Sequence, residues 1–311
     1  MRPVIRLPRS TDPFEPRGRA LSIARSLLAA AQLTTLLFTS DQVLQLHTGS
    51  STGGDACAGP GSLTLWCVLP AQHPALLAGR LVVALVLVGV IAGYRPRLLC
   101  IPHCYIAFSL AAGQFIADGA SAVAQILTVL FIPLCLGDPR IWQWTVPGEP
   151  LKPGWQGSAH AAHLVLRAQI AIIYMTAAVS KLRYSSWRNG TAVRTILADP
   201  AFDGASHLRS LVETLLAPRA VSDVVTWGAV ITELSIAIFS LLNARGRRYA
   251  LILGISLHTA IAVSLGLFAF GLTMIALLLS IQASGYRLLP QRDDLQRFPI
   301  RLGRINAQAH H

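Results

Sequence analysis

Lys181 is one of only two lysines among 26 basic residues, and it closes a series in which His160, Arg167, Tyr174 and Lys181 recur every seven positions. A helix drifts only about 20° per heptad, so these four groups fall along one stripe. Ionisable side chains facing lipid cost roughly 2.5–3.5 kcal/mol at the membrane centre on insertion scales, which turns such a stripe toward a bundle interior or a wet cavity. There it can move protons or orient a ligand. The competing reading is anchoring, because His160 and Lys181 lie near the ends of the run and can snorkel. Glu233 and His258 make a second constellation. A hairpin turning near Gly246 leaves each about 12 or 13 positions from the turn and therefore at nearly equal depth. A carboxylate beside an imidazole, with Arg167 or Arg25 as counter-charge, is a site for proton handling or ligand orientation. Its bland alternative is a structural interhelical hydrogen bond worth about 0.6 kcal/mol.

The five cysteines show no spacing typical of a zinc site, and no metal is expected. Cys57 and Cys67 share one loop and are expected to form a disulfide if that loop faces an oxidising compartment; otherwise both stay free. Cys100 and Cys104 flank Pro102 and His103, a run more often found as helix packing than as a metal site, and Cys135 reads as a core residue. There is no P-loop, dinucleotide fingerprint, His-Glu-x-x-His or Gly-x-Ser-x-Gly motif, which argues against ATP-driven transport by this chain alone.

The elements that must position these residues are membrane helices. Hydrophobic residues make up 53% of the 311 positions and charged ones 13%, too few to clothe a water-soluble surface of that size. Apolar runs of about 17 to 23 residues match the length of a helix that crosses a ~30 Å hydrocarbon core. Such runs fall at about 20–38, 75–93, 98–117, 121–137, 160–182, 220–242, 249–266 and 268–284. The expected fold is an all-α polytopic bundle of about eight spans. It has a basic cytoplasmic tail at 1–19, a transmembrane domain at 20–284 and a second basic cytoplasmic tail at 285–311. The first apolar run is long and lacks a small-residue cleavage site, so no cleavable signal is expected.

The net charge of +12 does not indicate nucleic acid here, because the arginines sit between spans and at the chain ends. Arg95 and Arg97, then Arg245, Arg247 and Arg248, then Arg287 to Arg304 fall on one side in an eight-span count, which the positive-inside rule makes cytoplasmic. The loop at 39–74 carries Asp41 and Asp55 and no basic residue, which suits the outer side. The loop at 183–219 carries five arginines against three acids, but long loops translocate despite charge. It holds Trp187 and expected short helices at 191–198 and 206–217, and reads as an outer cap between spans five and six. Trp142, Trp144 and Trp155 in the inner loop at 138–159 suit the headgroup layer.

The stretches Arg167-Ala-Gln-Ile-Ala-Ile-Ile-Tyr174, Ala178-Val-Ser-Lys181-Leu and Trp187-Arg-Asn-Gly-Thr-Ala192 resemble the horizontally transferred transmembrane domain, the superfamily of vitamin K-dependent gamma-carboxylase. The run from Leu257-His258 to Phe268-Ala-Phe270 is similar to that domain's histidine-bearing span. Within the superfamily, Ala24-Arg25-Ser-Leu-Leu and the loop bearing Cys57 and Cys67 are most similar to the sporulation-delaying protein B family, over residues 18 to 285. The resemblance implies a multi-pass protein of the bacterial cytoplasmic membrane that matures a secreted antimicrobial peptide toxin. Its implied partners are the toxin precursor, a second maturation protein and membrane lipid. It also places Lys181 where the carboxylase has the base that deprotonates vitamin K hydroquinone, so a quinone is a candidate cofactor and Lys181, Glu233 and His258 are candidate catalytic residues. A cavity lined by Tyr174, Arg167, His160 and Arg25 is the matching expectation. The carboxylase's large lumenal domain has no counterpart here, and full carboxylase activity is not expected. Three readings follow: a maturation factor, a quinone-using carboxylase-like enzyme with Lys181 as base, and a non-catalytic transporter or immunity-like protein.

Overall fold

The computed structural model describes residues 15–39, 57, 59–69, 73–112, 119–149, 151–199 and 214–282. Among them the only extended pairing is an isolated bridge between Tyr94 and Trp142; the rest is helical or irregular. In chain order the elements are α1 (Arg19–Phe38), a 3-10 turn (Gly59–Leu63), the single turn α2 (Leu65–Val68), α3 (His73–Ala92), α4 (Pro96–Ala112) and α5 (Gly119–Cys135). Then come α6 (Pro153–Lys181), the short α7 (Ser185–Arg188) and α8 (Ala192–Ala198), and finally α9 (Arg219–Leu241), α10 (Ala244–Leu265) and α11 (Phe268–Ser280). Helices α1, α3, α6, α9 and α10 are long and apolar enough to cross a membrane, and α4, α5 and α11 are shorter apolar helices. The expected stretches at 113–117 and 283–284, and most of that at 206–217, lie outside the described residues.

Local chemistry sets the boundaries. Helix α6 begins seven residues before its expected start, because Pro153 occupies the first turn, where its fixed φ is compatible with a helix and its missing N–H costs nothing. It runs for 29 residues. The α9–α10 turn falls at Leu242 and Asn243, not near Gly246. The Asn243 side chain accepts hydrogen bonds from the N–H groups of Arg245 and Gly246, both 3.1 Å, and so caps α10 before Gly246 is reached. Gly266, at φ 74°, ends α10 in the left-handed conformation that glycine adopts without strain.

Polar side chains are buried among an apolar core while many large apolar ones face outward. Buried side chains include Arg25, Gln32, His103, His163, Glu233 and His258, whereas Leu81, Val82, Leu85, Val224, Ile231 and Ile252 are exposed. That arrangement suits a lipid surround, where burial of apolar side chains drives nothing and close packing takes over. Alanines at 24, 29, 31, 107, 124, 159, 162 and 178 are accordingly buried at helix contacts. Helix α11 sits centrally, touching α1, α5, α6 and α10, while α9 packs between α6 and α10. One core cluster joins α1, α5, α6, α9, α10 and α11; a second joins α1 to α3, α4 and Trp66 of α2.

Loops are pinned to this bundle. At one end of the bundle, Arg95 N–H donates to the Ile141 carbonyl at 2.7 Å and Gln143 N–H to that of Gly93 at 2.9 Å, which lays the Trp142 loop across the α3–α4 turn. Trp142 and Trp144 are about half exposed there, whereas Trp155 belongs to α6 and packs against Gly137. At the other end, Cys57 and Cys67 are joined by a disulfide with Cα atoms 5.6 Å apart. Trp66 Nε1 donates to the Ser109 carbonyl at 3.0 Å and fastens this loop to α4. The segment after α6 is buckled to α9: the Gly190 carbonyl accepts from the Ser222 and Thr226 hydroxyls, both at 2.9 Å. Gly190 has φ 73°, and a Cβ there would lie 2.1 Å from an Asp223 oxygen.

Candidate functional site

Three helices bring four polar side chains together. Lys181 is the last residue of α6, and its Nζ donates to both carboxylate oxygens of Glu233 on α9, at 2.7 and 2.8 Å. The Glu233 side chain is 10% exposed and that of Lys181 24%, so the pair is mostly but not wholly withdrawn from the surround. Trp187 of α7 covers the ammonium, with Nζ 5.3 Å from its ring centroid. The cap thereby supplies one wall of the site. A cation over an indole face is held by the ring quadrupole.

Beside this pair, the hydroxyl of Tyr174 on α6 and Nε2 of His258 on α10 share a hydrogen bond of 2.7 Å. Both residues are buried, and His258 also meets Phe270 of α11 edge-on with centroids 5.4 Å apart. Gly271 lies close against α10: a Cβ there would stand 3.1 Å from the carbonyl oxygen of His258, so a larger residue would need the two helices to give by a few tenths of an ångström. Tyr174 and Lys181 stand seven residues, about two turns, apart on the same side of α6, so the two bonded pairs sit at neighbouring levels along one helix. Whichever atom carries the shared proton, His258 Nδ1 is buried without a hydrogen-bond partner among the described residues.

The other expected members lie elsewhere. Arg167 does not oppose Glu233. Its guanidinium closes the C-terminus of α9, donating to the carbonyls of Ser240 at 3.1 Å, Leu241, and Leu242 at 2.9 Å, where a helix leaves orphan acceptors and partial negative charge. Arg25 is buried on α1 against Gln143, at 2.5 Å. His160 is exposed. The heptad stripe spans three helical depths: Tyr174 is separated from His160 by about 21 Å of helix. The counter-charge to Glu233 is Lys181 instead. Because the turn sits at Asn243, Glu233 lies about two turns from the end of α9 and His258 about four turns into α10. The two are therefore not level, and each finds its partner on α6.

Sequence reading missed several buried polar groups. His103 Nε2 meets Gln32 Oε1 at 2.6 Å inside the bundle, and His163 is buried on the inward face of α6. Gln32 also lines a cavity of about 20 Å³ with Thr35, Ser121 and Thr273. A lone histidine or glutamine in an apolar run gives no directional signal without its partner. Among the described residues no group of three or more His, Cys, Asp or Glu side chains is placed to hold a metal. Cys100 and Cys135 are buried as packing groups and Cys104 partly so.

An all-helical bundle with membrane-length apolar helices, an apolar exterior and ionisable groups inside defines a polytopic membrane protein. The HTTM domain matches residues 156–283, which run from α6 through α11 and carry the whole four-residue cluster. Two proteins of Bacillus subtilis (strain 168) are similar over most of their lengths. YitO is 30% identical over 271 residues, covering 86% of each chain; sporulation-delaying protein SdpB is 29% identical over 269 residues, covering 86% of this chain and 82% of its own. No solved structure matches. The chain belongs to the SdpB-like family of HTTM-domain membrane proteins.

Proposed function

We propose that this protein acts in the production of a secreted peptide toxin at the bacterial cytoplasmic membrane, and that the Lys181–Glu233 and Tyr174–His258 pairs are its reactive centre. The likeness to sporulation-delaying protein SdpB supports the process. The observation that carries the site is the convergence of two bonded polar pairs from three helices beneath an indole wall. All eight longer helices are taken as spans, with both termini cytoplasmic by the positive-inside rule. The 183–219 loop then caps the outer face, and a polar cavity opens under it between Trp187 and His258.

The chemistry suggested is proton transfer. Nζ of Lys181 donates to Glu233, so it takes a proton from a substrate only after passing one of its own to the carboxylate. In a low-dielectric site the neutral amine and carboxylic acid are accessible, and the amine is then a competent base. His258 Nδ1 is a free donor or acceptor for the same substrate. The toxin precursor and a second maturation protein are the proposed partners.

The test is the intact mass of the candidate precursor made with and without this protein in the same cells. A mass change that requires the protein, and that Lys181→Ala and Glu233→Ala each abolish, supports a catalytic role. Normal processing with both variants refutes it and leaves a binding role. Protection of the purified protein by an added quinone, lost in Lys181→Ala, would favour the quinone-using chemistry.

A further inference from the structure

At the opposite end of the bundle from the four-residue cluster, Arg25 is 2% exposed, and its Nε and Nη2 have no hydrogen-bond partner among the described residues. Its one bonded neighbour is the neutral Gln143, whose amide nitrogen is itself held by the Ser22 carbonyl at 3.1 Å and the Ser26 hydroxyl at 3.0 Å. Arg25 lines a cavity of about 10 Å³ with Arg17, Pro96, Cys135, Asp138 and Arg140. That volume admits one water-sized group.

The two carboxylates bonded to the arginines of this cavity are already taken up. Glu15 accepts from Arg17 at 2.6 and 2.8 Å, and Asp138 accepts from Arg140 at 2.6 to 3.1 Å. Cys100, His103 and Cys135 also lie within electrostatic reach of Arg25, and none of them supplies a carboxylate. Among the described residues lining the cavity, Arg17 and Arg140 are each paired with a carboxylate and Arg25 is not. A buried cation without a counter-charge is among the costliest arrangements a fold can hold, whereas one anionic oxygen would satisfy both free nitrogens.

We infer that this is a binding site for a phosphate oxyanion, with one phosphoryl oxygen entering the cavity and Arg17 and Arg140 at its mouth. The source the surroundings favour is an anionic phospholipid headgroup. Trp142 and Trp144, about half exposed, mark this end as the headgroup layer, and a basic pocket between helix ends on the arginine-rich side is how such headgroups are held. Gln143 orients the guanidinium, and through Ser22 and Ser26 the site joins the inner loop to α1.

The test uses the full chain purified in detergent and stripped of lipid. Melting temperature and native mass spectra are recorded with phosphatidylglycerol, phosphatidylcholine or inorganic phosphate at constant ionic strength. The expected result is stabilisation and a retained adduct with phosphatidylglycerol over phosphatidylcholine, with affinity reduced roughly tenfold or more in Arg25→Gln, the effect of a lost charge-assisted hydrogen bond. Equal protection by inorganic phosphate would assign the source as free phosphate and keep the site. Gln143→Glu covers the case in which Arg25→Gln does not fold: it supplies the missing charge internally, so it should raise basal stability and lose the response to phosphatidylglycerol. No response of the wild type to any of the three, or an undiminished response in Gln143→Glu, overturns the inference.

Discussion

Replacing Glu233 by Ala leaves the mostly buried Lys181 ammonium with its carboxylate gone and the Trp187 ring still over it. Removing one partner of a fully buried ion pair costs about 3–5 kcal/mol, and an exposed pair is worth at most about 1 kcal/mol. With side-chain exposures of 10% and 24%, this pair falls between those limits, and about 2 kcal/mol is expected for either single substitution. The double substitution Lys181→Met with Glu233→Leu removes both charges at similar volume and should recover most of that loss, since no charge is left uncompensated. The assay is reversible unfolding in mixed detergent micelles for the wild type, each single variant and the double variant, closed as a double-mutant cycle. With about 2 kcal/mol lost in each of Lys181→Met and Glu233→Leu and most of it recovered in the double variant, a coupling energy of roughly 3 kcal/mol is expected. A value below about 0.5 kcal/mol would mean that the two side chains do not interact as described, and the shared-proton chemistry would fall with it.

Two further outcomes test the cap and the outer loop. Gly190→Ala should loosen the segment from α7 to α9 by about 2 kcal/mol or more, because a Cβ is disfavoured at φ 73° and meets Asp223; protease nicking between 183 and 219 reads it, and unchanged resistance counts against the buckle. Membrane-impermeant thiol reagents added to intact cells should leave Cys57 and Cys67 unlabelled until a reductant is supplied. Labelling without reductant contradicts the disulfide, and none after reduction contradicts an outer location.

Helix positions were legible because lipid demands long uncharged runs, and each of the eight runs contains a helix. Helix ends were less so. The start of α6 depended on reading Pro153 as an initiator of a helix instead of a breaker, and the α9–α10 turn depended on one asparagine outranking a nearby glycine. The members of the cluster were legible by their rarity, Lys181 above all. Their pairing was not, because it depends on rotation about helix axes and on the turn position. A four-residue error in that turn joined Glu233 to His258 when each in fact bonds to α6. Arg167 was misassigned for a related reason: a charge inside an apolar run signals burial but does not reveal that its partner is three backbone carbonyls.

The length of α6 has a mechanical consequence. At about 1.5 Å per residue its 29 residues measure about 44 Å, against a hydrocarbon layer of about 30 Å. Concealing all of it by leaning would need an inclination near 47°, beyond the roughly 40° at which membrane helices stop. The helix must therefore stand proud of the lipid at its Pro153 end, by about 12 Å if the apolar stretch from Ala161 to Lys181 fills the bilayer. His160 would then sit in the wet boundary, which accounts for its exposure. The same rigid rod holds Tyr174 and Lys181 toward its far end, so that a displacement at the Pro153 end would be felt at the cluster.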